Sequence, residues 1–209
     1  MSLIKRQLNF LNEKGAANIS HSNRTLMTHL QGTYDILKQW GMDESVCLAG
    51  LFHSVYGTDA FSLQPVARDE SQQVVALIGE RAEHLVNLYC SVSRKTLFLA
   101  NKPEDILFRI DNCKEDISNA DMCGLLHIEY ANLIEQGQAM GLKGRVFING
   151  YAKRWLHIKH LLKSECNTEL TRIFAEFRMK GWQLALCELW MRGSMLLRRS
   201  RMALVTTDK

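Results

Sequence analysis

The sequence contains only 2 prolines and 13 glycines in 209 residues, and no stretch approaches the roughly 20 uninterrupted apolar residues that cross a membrane. Its first residues, MSLIKRQLNFLNEKG, also lack the apolar core of about 7–15 residues that defines a secretory signal. Hydrophobic residues make up 46% of the chain, which excludes a disordered or collagen-like protein. We therefore expect a compact cytoplasmic protein with no transmembrane segment.

Cysteine is present but has no pattern of paired spacing. The six cysteines lie far apart and form no CxxC pair. A chain of this length can build its core without disulfides, and cysteine zinc sites usually have closely spaced pairs. The spacing predicts reduced thiols at Cys47, Cys90, Cys113, Cys123, Cys166 and Cys187.

The formal net charge of +4 is unevenly distributed. Residues 1–150 carry 14 basic and 17 acidic side chains, whereas residues 151–209 carry 12 and 5. A basic segment can bind nucleic acid, anionic lipid or an acidic partner, but most such segments are solvated helix faces. The basic segment has no pattern of aromatic and basic residues that would indicate nucleic-acid binding.

Apolar residues recur every three or four positions along most of the chain, which predicts an all-α fold. The predicted helices cover about 24–40, 45–56, 69–78, 80–90, 101–113, 118–136, 151–163 and 169–201. Between them we predict a loop at 59–66, a turn at 91–95 and a glycine-rich connection at 137–149. We place a domain boundary in that connection, between a helical domain at 20–140 and a basic helical extension at 141–209 packed on or beside it.

Two of the seven histidines occupy positions suited to a metal half-site. His53 lies in the apolar string AGLFHSVYG, where an unpaired imidazole would cost about 2 kcal/mol or more. His29 lies halfway along the preceding predicted helix, 24 residues earlier. An antiparallel helix pair would bring the two imidazoles together, as in a metal site.

The stretch from His29 to His53, HLQGTYDILKQWGMDESVCLAGLFH, is similar to the opening of the HD superfamily of metal-dependent phosphohydrolases. Within it, the stretch most resembles the hydrolase domain of RelA/SpoT-type enzymes, which remove the 3′ pyrophosphate of (p)ppGpp with manganese. That family has the same histidine interval, and a central helix reading AALLHD. The segments VALIGERAEHLV at 75–86 and YANLIEQ at 130–136 resemble two further family helices. The resemblance covers about residues 20–137 and implies an HD-domain-like helical bundle.

The resemblance also implies a metal site, but with two ligands changed. The family holds its metal with two His, the Asp of the HD pair and a distant Asp, places that fall here on His29, His53, Ser54 and Asn132. Hard divalent cations such as manganese depend on anionic oxygen ligands, so we expect affinity to fall by orders of magnitude. The family's Glu-Asp pair, which activates water, aligns with Gly57 and Thr58, so the expected general base is also missing.

Nearby side chains are candidate substitute ligands. Asp59 follows the lost pair, Glu129 and Glu135 lie one helical turn on either side of Asn132, and His21 precedes the first predicted helix. Such a set would suit iron or zinc, and HD-related diiron oxygenases use the same scaffold. The expected cofactor is therefore a divalent metal, namely iron, manganese or zinc, or none.

The string around Ser54 also resembles HD-like proteins without assigned activity, in which Ser follows the central His. That resemblance implies a retained polar pocket. Side chains at the entrance of the first helix and beside the central histidine could bind a nucleotide-like or other phosphorylated ligand by hydrogen bonds and charge. These ligand-binding candidates are Asn23, Arg24, Ser54 and Tyr56.

Three functions follow from these observations. The favoured one is a divergent HD-superfamily protein that binds a small phosphorylated ligand, with its metal-dependent phosphohydrolase activity weakened or lost. One alternative is an iron-dependent HD-type oxygenase with substitute ligands. The other is a non-catalytic scaffold, with the C-terminal helices binding a protein partner or a second copy of the chain.

Overall fold

The computed structural model describes residues 4–21, 24–111 and 114–183, and these residues confirm the all-α prediction. Among them lie nine α-helices and a single short hairpin of two strands. The helices are α1 Ile4–Glu13, α2 Leu26–Gln39, α3 Glu44–Phe52, α4 Ser71–Ile78, α5 Glu80–Ser91, α6 Arg94–Leu99, α7 Asn119–Ala139, α8 Gly141–Ile158 and α9 Ser164–Glu176. The antiparallel strands are β1 Ser20–His21 and β2 Arg24–Thr25, and short 3-10 turns occur at Arg68–Glu70, Pro103–Asp105 and Lys159–Leu161.

Helix α3 lies at the centre of the core, where it packs against α2, α5 and α7. Its sequence is almost continuously apolar, and six of its nine residues are buried, while Glu44 at its start is exposed and Ser45 and Leu48 are partly buried. Gly50 allows α2 to approach closely, since a Cβ at that position would lie 2.2 Å from the Leu37 Cδ1 atom. This tight α2–α3 contact fixes the relative position of the side chains that follow.

The long helix α7 packs against both α2 and α3. It begins with a capping box between Ser118 and Asp121. The Ser118 hydroxyl accepts from the Asp121 backbone N–H at 3.1 Å, and the Asp121 carboxylate accepts from the Ser118 N–H at 3.0 Å. Fifteen of its 21 residues are buried, including five polar or charged side chains, Asp121, His127, Glu129, Asn132 and Glu135. Each of these five has a hydrogen-bond or ion-pair partner, because burying an unpaired polar group is costly.

Several predicted boundaries near the N-terminus and in the middle of the chain were wrong. The prediction missed α1, which is stabilised by tertiary contacts such as the Gln7 Nε2 bond to the Leu77 carbonyl at 2.8 Å. It also missed the hairpin at Ser20–Thr25. Helix α6 begins inside the predicted turn at 91–95, and of the predicted helix at 101–113 the described residues 101–111 form no α-helix and include a 3-10 turn at Pro103–Asp105.

The predicted glycine-rich connection at 137–149 is also wrong, because α8 begins at Gly141 and includes most of it. Gly141 adopts φ +57°, which ends α7 and lets the chain reverse into α8. Gly144 faces Gly137 across this corner so closely that a Cβ on Gly144 would lie 1.7 Å from the Gly137 carbonyl oxygen. Here the glycines allow two helices to pack closely against each other. The number of glycines alone does not show whether a segment is a loop or such a helix contact.

The last predicted helix begins earlier than expected, since α9 begins at Ser164 and ends at Glu176. Residues 184–201 of that prediction lie outside the described residues, as do Cys113 and Cys187. The four described cysteines, Cys47, Cys90, Cys123 and Cys166, are free thiols. Within the described ranges, every helix is too short or too polar to span a membrane.

Candidate functional site

Two histidines meet in the core between α2 and α3. His29 lies in the middle of α2, and His53 follows the last residue of α3. Their Nε2 atoms lie 3.2 Å apart, and both side chains are almost completely buried. The structure therefore brings together the pair that the 24-residue interval suggested.

The other ring nitrogen of each histidine has a fixed partner. The Nδ1–H of His53 donates to the Gly50 carbonyl at 2.7 Å, which leaves its Nε2 atom as an acceptor. The Nε2–H of His29 can fill that acceptor, in which case its own Nδ1 atom accepts from the carboxyl group of Glu135, with which it forms a short contact. When the Glu135 carboxyl group is protonated and both imidazoles are neutral, a chain of hydrogen bonds runs from Glu135 through His29 and His53 to Gly50.

Burial determines which of the groups in this hydrogen-bond chain, Glu135, His29 and His53, carry a charge. It raises the pKa of Glu135 to about 7, although the guanidinium of Arg24, which contacts the same carboxyl group, opposes the rise. Burial also lowers the pKa of both His29 and His53 well below the usual value, so their imidazoles stay neutral. When Glu135 ionises, it accepts from His29 Nδ1, and the two Nε2 lone pairs then face each other.

The histidine pair opens onto a cavity of about 140 Å³, which we call the inner pocket. The Ser54 side chain on its wall is buried, and its hydroxyl has no hydrogen-bond partner among the residues that the structure describes. An unsatisfied buried hydroxyl is costly, and a bound ligand would satisfy it. The inner pocket is lined by His21, His29, His53, Ser54, Thr58, Ala60, Phe61, Tyr89, Arg94, Asn132 and Gln136.

A charged network forms one wall of the inner pocket. The guanidinium of Arg94 donates to both carboxylate oxygens of Glu129, from Nε and Nη2, each at 3.0 Å. Glu129 also accepts from the Tyr89 hydroxyl at 2.6 Å, and Asn132 donates to that hydroxyl at 3.1 Å. Gln136 donates to the Asn132 side-chain oxygen at 2.9 Å. The network holds a cation at the pocket while neutralising the buried carboxylate beneath it.

The hairpin brings two more side chains to the site. Its register pairs His21 with Arg24, so both side chains lie next to α7. The His21 Nε2 atom lies 3.2 Å from the Gln136 amide nitrogen, and its ring lies 4.5 Å from the His29 ring. Arg24 donates to the Glu135 backbone carbonyl at 2.7 Å as well as contacting its carboxyl group. Its guanidinium therefore supports the histidine chain and does not line the inner pocket.

The donor set does not fit a hard divalent cation. Beyond the histidine pair, Glu129 is neutralised by Arg94, and Glu135 contacts the far nitrogen of His29. Within the part of the chain that the structure describes, no three His, Cys, Asp or Glu side chains form a group that could hold a metal ion. The guanidinium of Arg94 would also repel a cation. Two neutral imidazoles beside a fixed positive charge lack the anionic oxygen ligands that manganese requires.

The remaining predicted site residues fall in different places. Asn132 lines the inner pocket, but both ends of its amide are already hydrogen-bonded. Asp59 lies outside the inner pocket, where it accepts from the Arg94 backbone N–H at 3.0 Å. The Tyr56 hydroxyl donates to Glu83 at 3.0 Å, so this side chain is not part of the pocket. Asn23 lies outside the described residues.

The prediction did not assign six residues of the inner pocket, namely Thr58, Ala60, Phe61, Tyr89, Arg94 and Gln136. Arg94 and Tyr89 lie near the junction of α5 and α6, which was predicted as a turn without function. Gln136 lies one helical turn after Asn132, a spacing that could have suggested it. No pattern in the sequence singled out Arg94, because its partner Glu129 is 35 residues away.

Comparisons with known proteins add one match. Residues 10–94 match the model of a family described as a domain of unknown function, DUF6817. This segment is less than half of the chain. It includes the histidine pair, Ser54 and Arg94, but ends before α7 and α8. No curated protein and no solved structure matches the chain.

Proposed function

We propose that the protein is a divergent relative of the HD superfamily that binds a small, nucleotide-like phosphorylated ligand, with the phosphate in the inner pocket and without a hard metal ion. The histidine pair supports the relationship, as do the positions of Ser54 and Asn132. Both residues line the same pocket, and the sequence resemblance aligns them with the two carboxylate ligands of the HD family. Metal-dependent phosphohydrolase activity is, on this proposal, weakened or lost.

The observation that carries the proposal is the cation at Arg94. Its side chain is 16% exposed, and Glu129 fixes it in place through two hydrogen bonds. Its Nη1 group makes no hydrogen bond to any described residue, so those N–H groups are free to donate to a ligand. Guanidinium groups bind phosphate through paired, charge-assisted hydrogen bonds. Arg94 thus supplies the positive charge that a metal supplies in the enzymes of the superfamily.

The rest of the inner pocket suits the same ligand. The unsatisfied Ser54 hydroxyl can donate to a phosphate oxygen. A cavity of about 140 Å³ accommodates a phosphate group and leaves little room for a larger one. The buried imidazoles are neutral, so they add no charge, and when Glu135 is ionised their Nε2 atoms can accept a hydrogen bond from a protonated phosphate oxygen.

Thermal unfolding in the presence of a chelator tests this proposal. Potassium phosphate and a guanine nucleotide should each raise the unfolding temperature of the wild-type protein by several degrees relative to potassium chloride of equal ionic strength. The double variant Arg94→Gln with Glu129→Gln removes both charges together and leaves no buried ion unpaired. It should lose the shift.

The matched control is the double variant Lys14→Gln with Glu70→Gln, which removes another partly buried ion pair, outside the pocket. It should keep the wild-type shift. Equal shifts in both double variants would place the phosphate elsewhere and contradict the proposal, as would the absence of any shift in the wild-type protein.

A further inference from the structure

A second and larger cavity, of about 540 Å³, lies directly outside the inner pocket. We call it the outer cleft. It shares Ala60, Arg94 and Gln136 with the inner pocket, so the two cavities meet at the guanidinium. Its volume is typical of sites that bind small organic molecules, which occupy roughly 300–1,000 Å³. The outer cleft is lined by Asp59, Ala60, Arg94, Lys95, Phe98, Glu129, Gln136, Phe147 and Tyr151.

Three aromatic rings form one wall of the outer cleft. Phe98 on α6 and Phe147 on α8 both contact Tyr151 edge to face, with ring centroids 4.4 Å and 4.9 Å away. All three side chains are only half-buried, so part of their surface faces the cleft. Such a wall favours a flat aromatic ring over a flexible sugar or an alkyl chain, because edge and face contacts stabilise aromatic pairs beyond simple burial.

The two helices that carry this wall are fixed to each other. The Arg154 side chain on α8 donates to the Phe98 carbonyl at 2.7 Å and to the Ala100 carbonyl at the end of α6. These bonds hold α6 against α8 without occupying the cleft. The site is therefore formed before any ligand binds, which reduces the entropy lost on binding.

The charges at the cleft favour an anion at its inner end. Glu129 is neutralised by Arg94, and Asp59 accepts from a backbone N–H. Lys95 is exposed and forms no ion pair with any described residue. Burial raises the pKa of Tyr151 to about 12, so its hydroxyl stays protonated. That hydroxyl makes no hydrogen bond to the described residues. Lys95 and the Tyr151 hydroxyl are therefore free donors, whereas Asp59 keeps a second carboxylate oxygen with no donor among the described residues.

We infer that the outer cleft binds the aromatic ring of a phosphate monoester whose phosphate binds at Arg94, with the ring against Phe147 and Tyr151. This inference rests on the proposed function, because the proposed phosphate site sets where the ring must lie. The ligand is identified only by its chemistry, an aromatic or heteroaromatic group joined to phosphate. No bond is formed or broken.

Calorimetric titration with three probes tests the inference. All three probes carry a phosphate. Inorganic phosphate has no organic group, ribose 5-phosphate adds a sugar, and phenyl phosphate adds an aromatic ring. Wild-type protein should bind phenyl phosphate about 10-fold more tightly than ribose 5-phosphate. Phe147→Leu should reduce this preference to about 2-fold and leave the affinity for inorganic phosphate unchanged. Tyr151→Leu provides a second, independent removal of a ring from the wall.

The control variant is Phe10→Leu, which replaces a half-buried ring on α1 and should keep the full preference. Equal affinities of the wild-type protein for phenyl phosphate and ribose 5-phosphate would overturn the inference while leaving the proposed phosphate site intact. A preference that persists in both Phe147→Leu and Tyr151→Leu would place the ring elsewhere and also overturn it. Failure of all three probes to bind would refute the proposed function together with the inference.

Discussion

Two regions of this protein bury histidine, and they use it differently. His127 lies in α7, where its Nδ1–H donates to the Cys123 carbonyl at 2.7 Å and its Nε2 atom accepts from the Lys163 backbone N–H at 3.1 Å. Both nitrogens are thus bonded to backbone, and the side chain joins α7 to the start of α9. In the histidine pair, each ring has one nitrogen bonded inside the core and one at the edge of the inner pocket.

Burial alone therefore does not distinguish a functional histidine from a structural one. Burial lowers the pKa of His127 as it lowers that of His29 and His53. What differs is the partner of the second ring nitrogen. Where backbone groups take both nitrogens, the residue stabilises the fold. In the histidine pair, the second nitrogen of each ring has the other imidazole as its partner, and it can accept from a ligand when Glu135 is ionised.

The largest expected effect in the inner pocket comes from removing the positive charge of Arg94 alone. Arg94→Met leaves the Glu129 carboxylate buried and unpaired, which should lower the free energy of unfolding by about 3–5 kcal/mol. Chemical denaturation measures this loss. The paired Arg94→Gln and Glu129→Gln variant should recover most of it, and a double variant no more stable than Arg94→Met would contradict the role given to the ion pair.

The structural histidine should show a smaller effect on stability and none on binding. His127→Leu removes the partly buried hydrogen bond from the Lys163 backbone N–H to the imidazole, which should destabilise the protein by about 1–3 kcal/mol in urea unfolding. Its phosphate affinity should equal that of the wild type. His157→Leu, at an exposed position on α8, serves as the control and should change stability by about 0.5 kcal/mol or less. A weakened phosphate affinity in His127→Leu would break the distinction between the two regions.

The pH dependence of stability tests the hydrogen-bond chain of the pocket. The folded-state pKa of Glu135, about 7, lies above its ordinary value, so its protonated form stabilises the fold fully at low pH. This contribution is lost as the pH rises through about 7. The lowered pKa values of His29 and His53 act in the opposite direction, removing stability as the pH falls below their ordinary value of 6.5.

Glu135→Gln isolates the first effect, because glutamine can donate to His29 at any pH. Relative to the wild type, this variant should gain on the order of 1–2 kcal/mol in the free energy of unfolding between pH 5 and pH 8. Urea denaturation at several pH values measures the difference. A difference that stays constant with pH would show that Glu135 does not change its protonation in this range.

The smallest expected effect on stability is at Ser54. Its hydroxyl is buried without a partner, so Ser54→Ala should leave the free energy of unfolding within about 0.5 kcal/mol of the wild type, or raise it slightly. Phosphate affinity should nevertheless fall several-fold, since the hydroxyl is assigned as a donor to the ligand. Unchanged affinity, measured by calorimetry, would remove Ser54 from the site.

Much of the fold could be predicted because helix signals are local. The helix predicted at 24–40 is α2 at Leu26–Gln39, and the one predicted at 118–136 is α7 at Asn119–Ala139. The missed elements are those that depend on distant contacts. Helix α1 and the hairpin are stabilised by packing, and the start of α8 depends on the close approach of Gly137 and Gly144.

The candidate site was predictable to the same extent. The histidine pair could be found because one member interrupts an apolar string and the interval fits two antiparallel helices. Arg94 and the outer cleft could not be found, since they result from the meeting of α6, α7 and α8. Tyr56 was assigned to the pocket because it lies close to His53 in sequence, whereas its hydroxyl bonds to Glu83.

Calorimetric titration of inorganic phosphate into the wild-type protein, once with a chelator and once with manganese, tests the central claim most directly. Because Arg94 supplies the positive charge, we expect the same dissociation constant under both conditions. Binding that occurs only when manganese is present would contradict the account and return the site to metal chemistry.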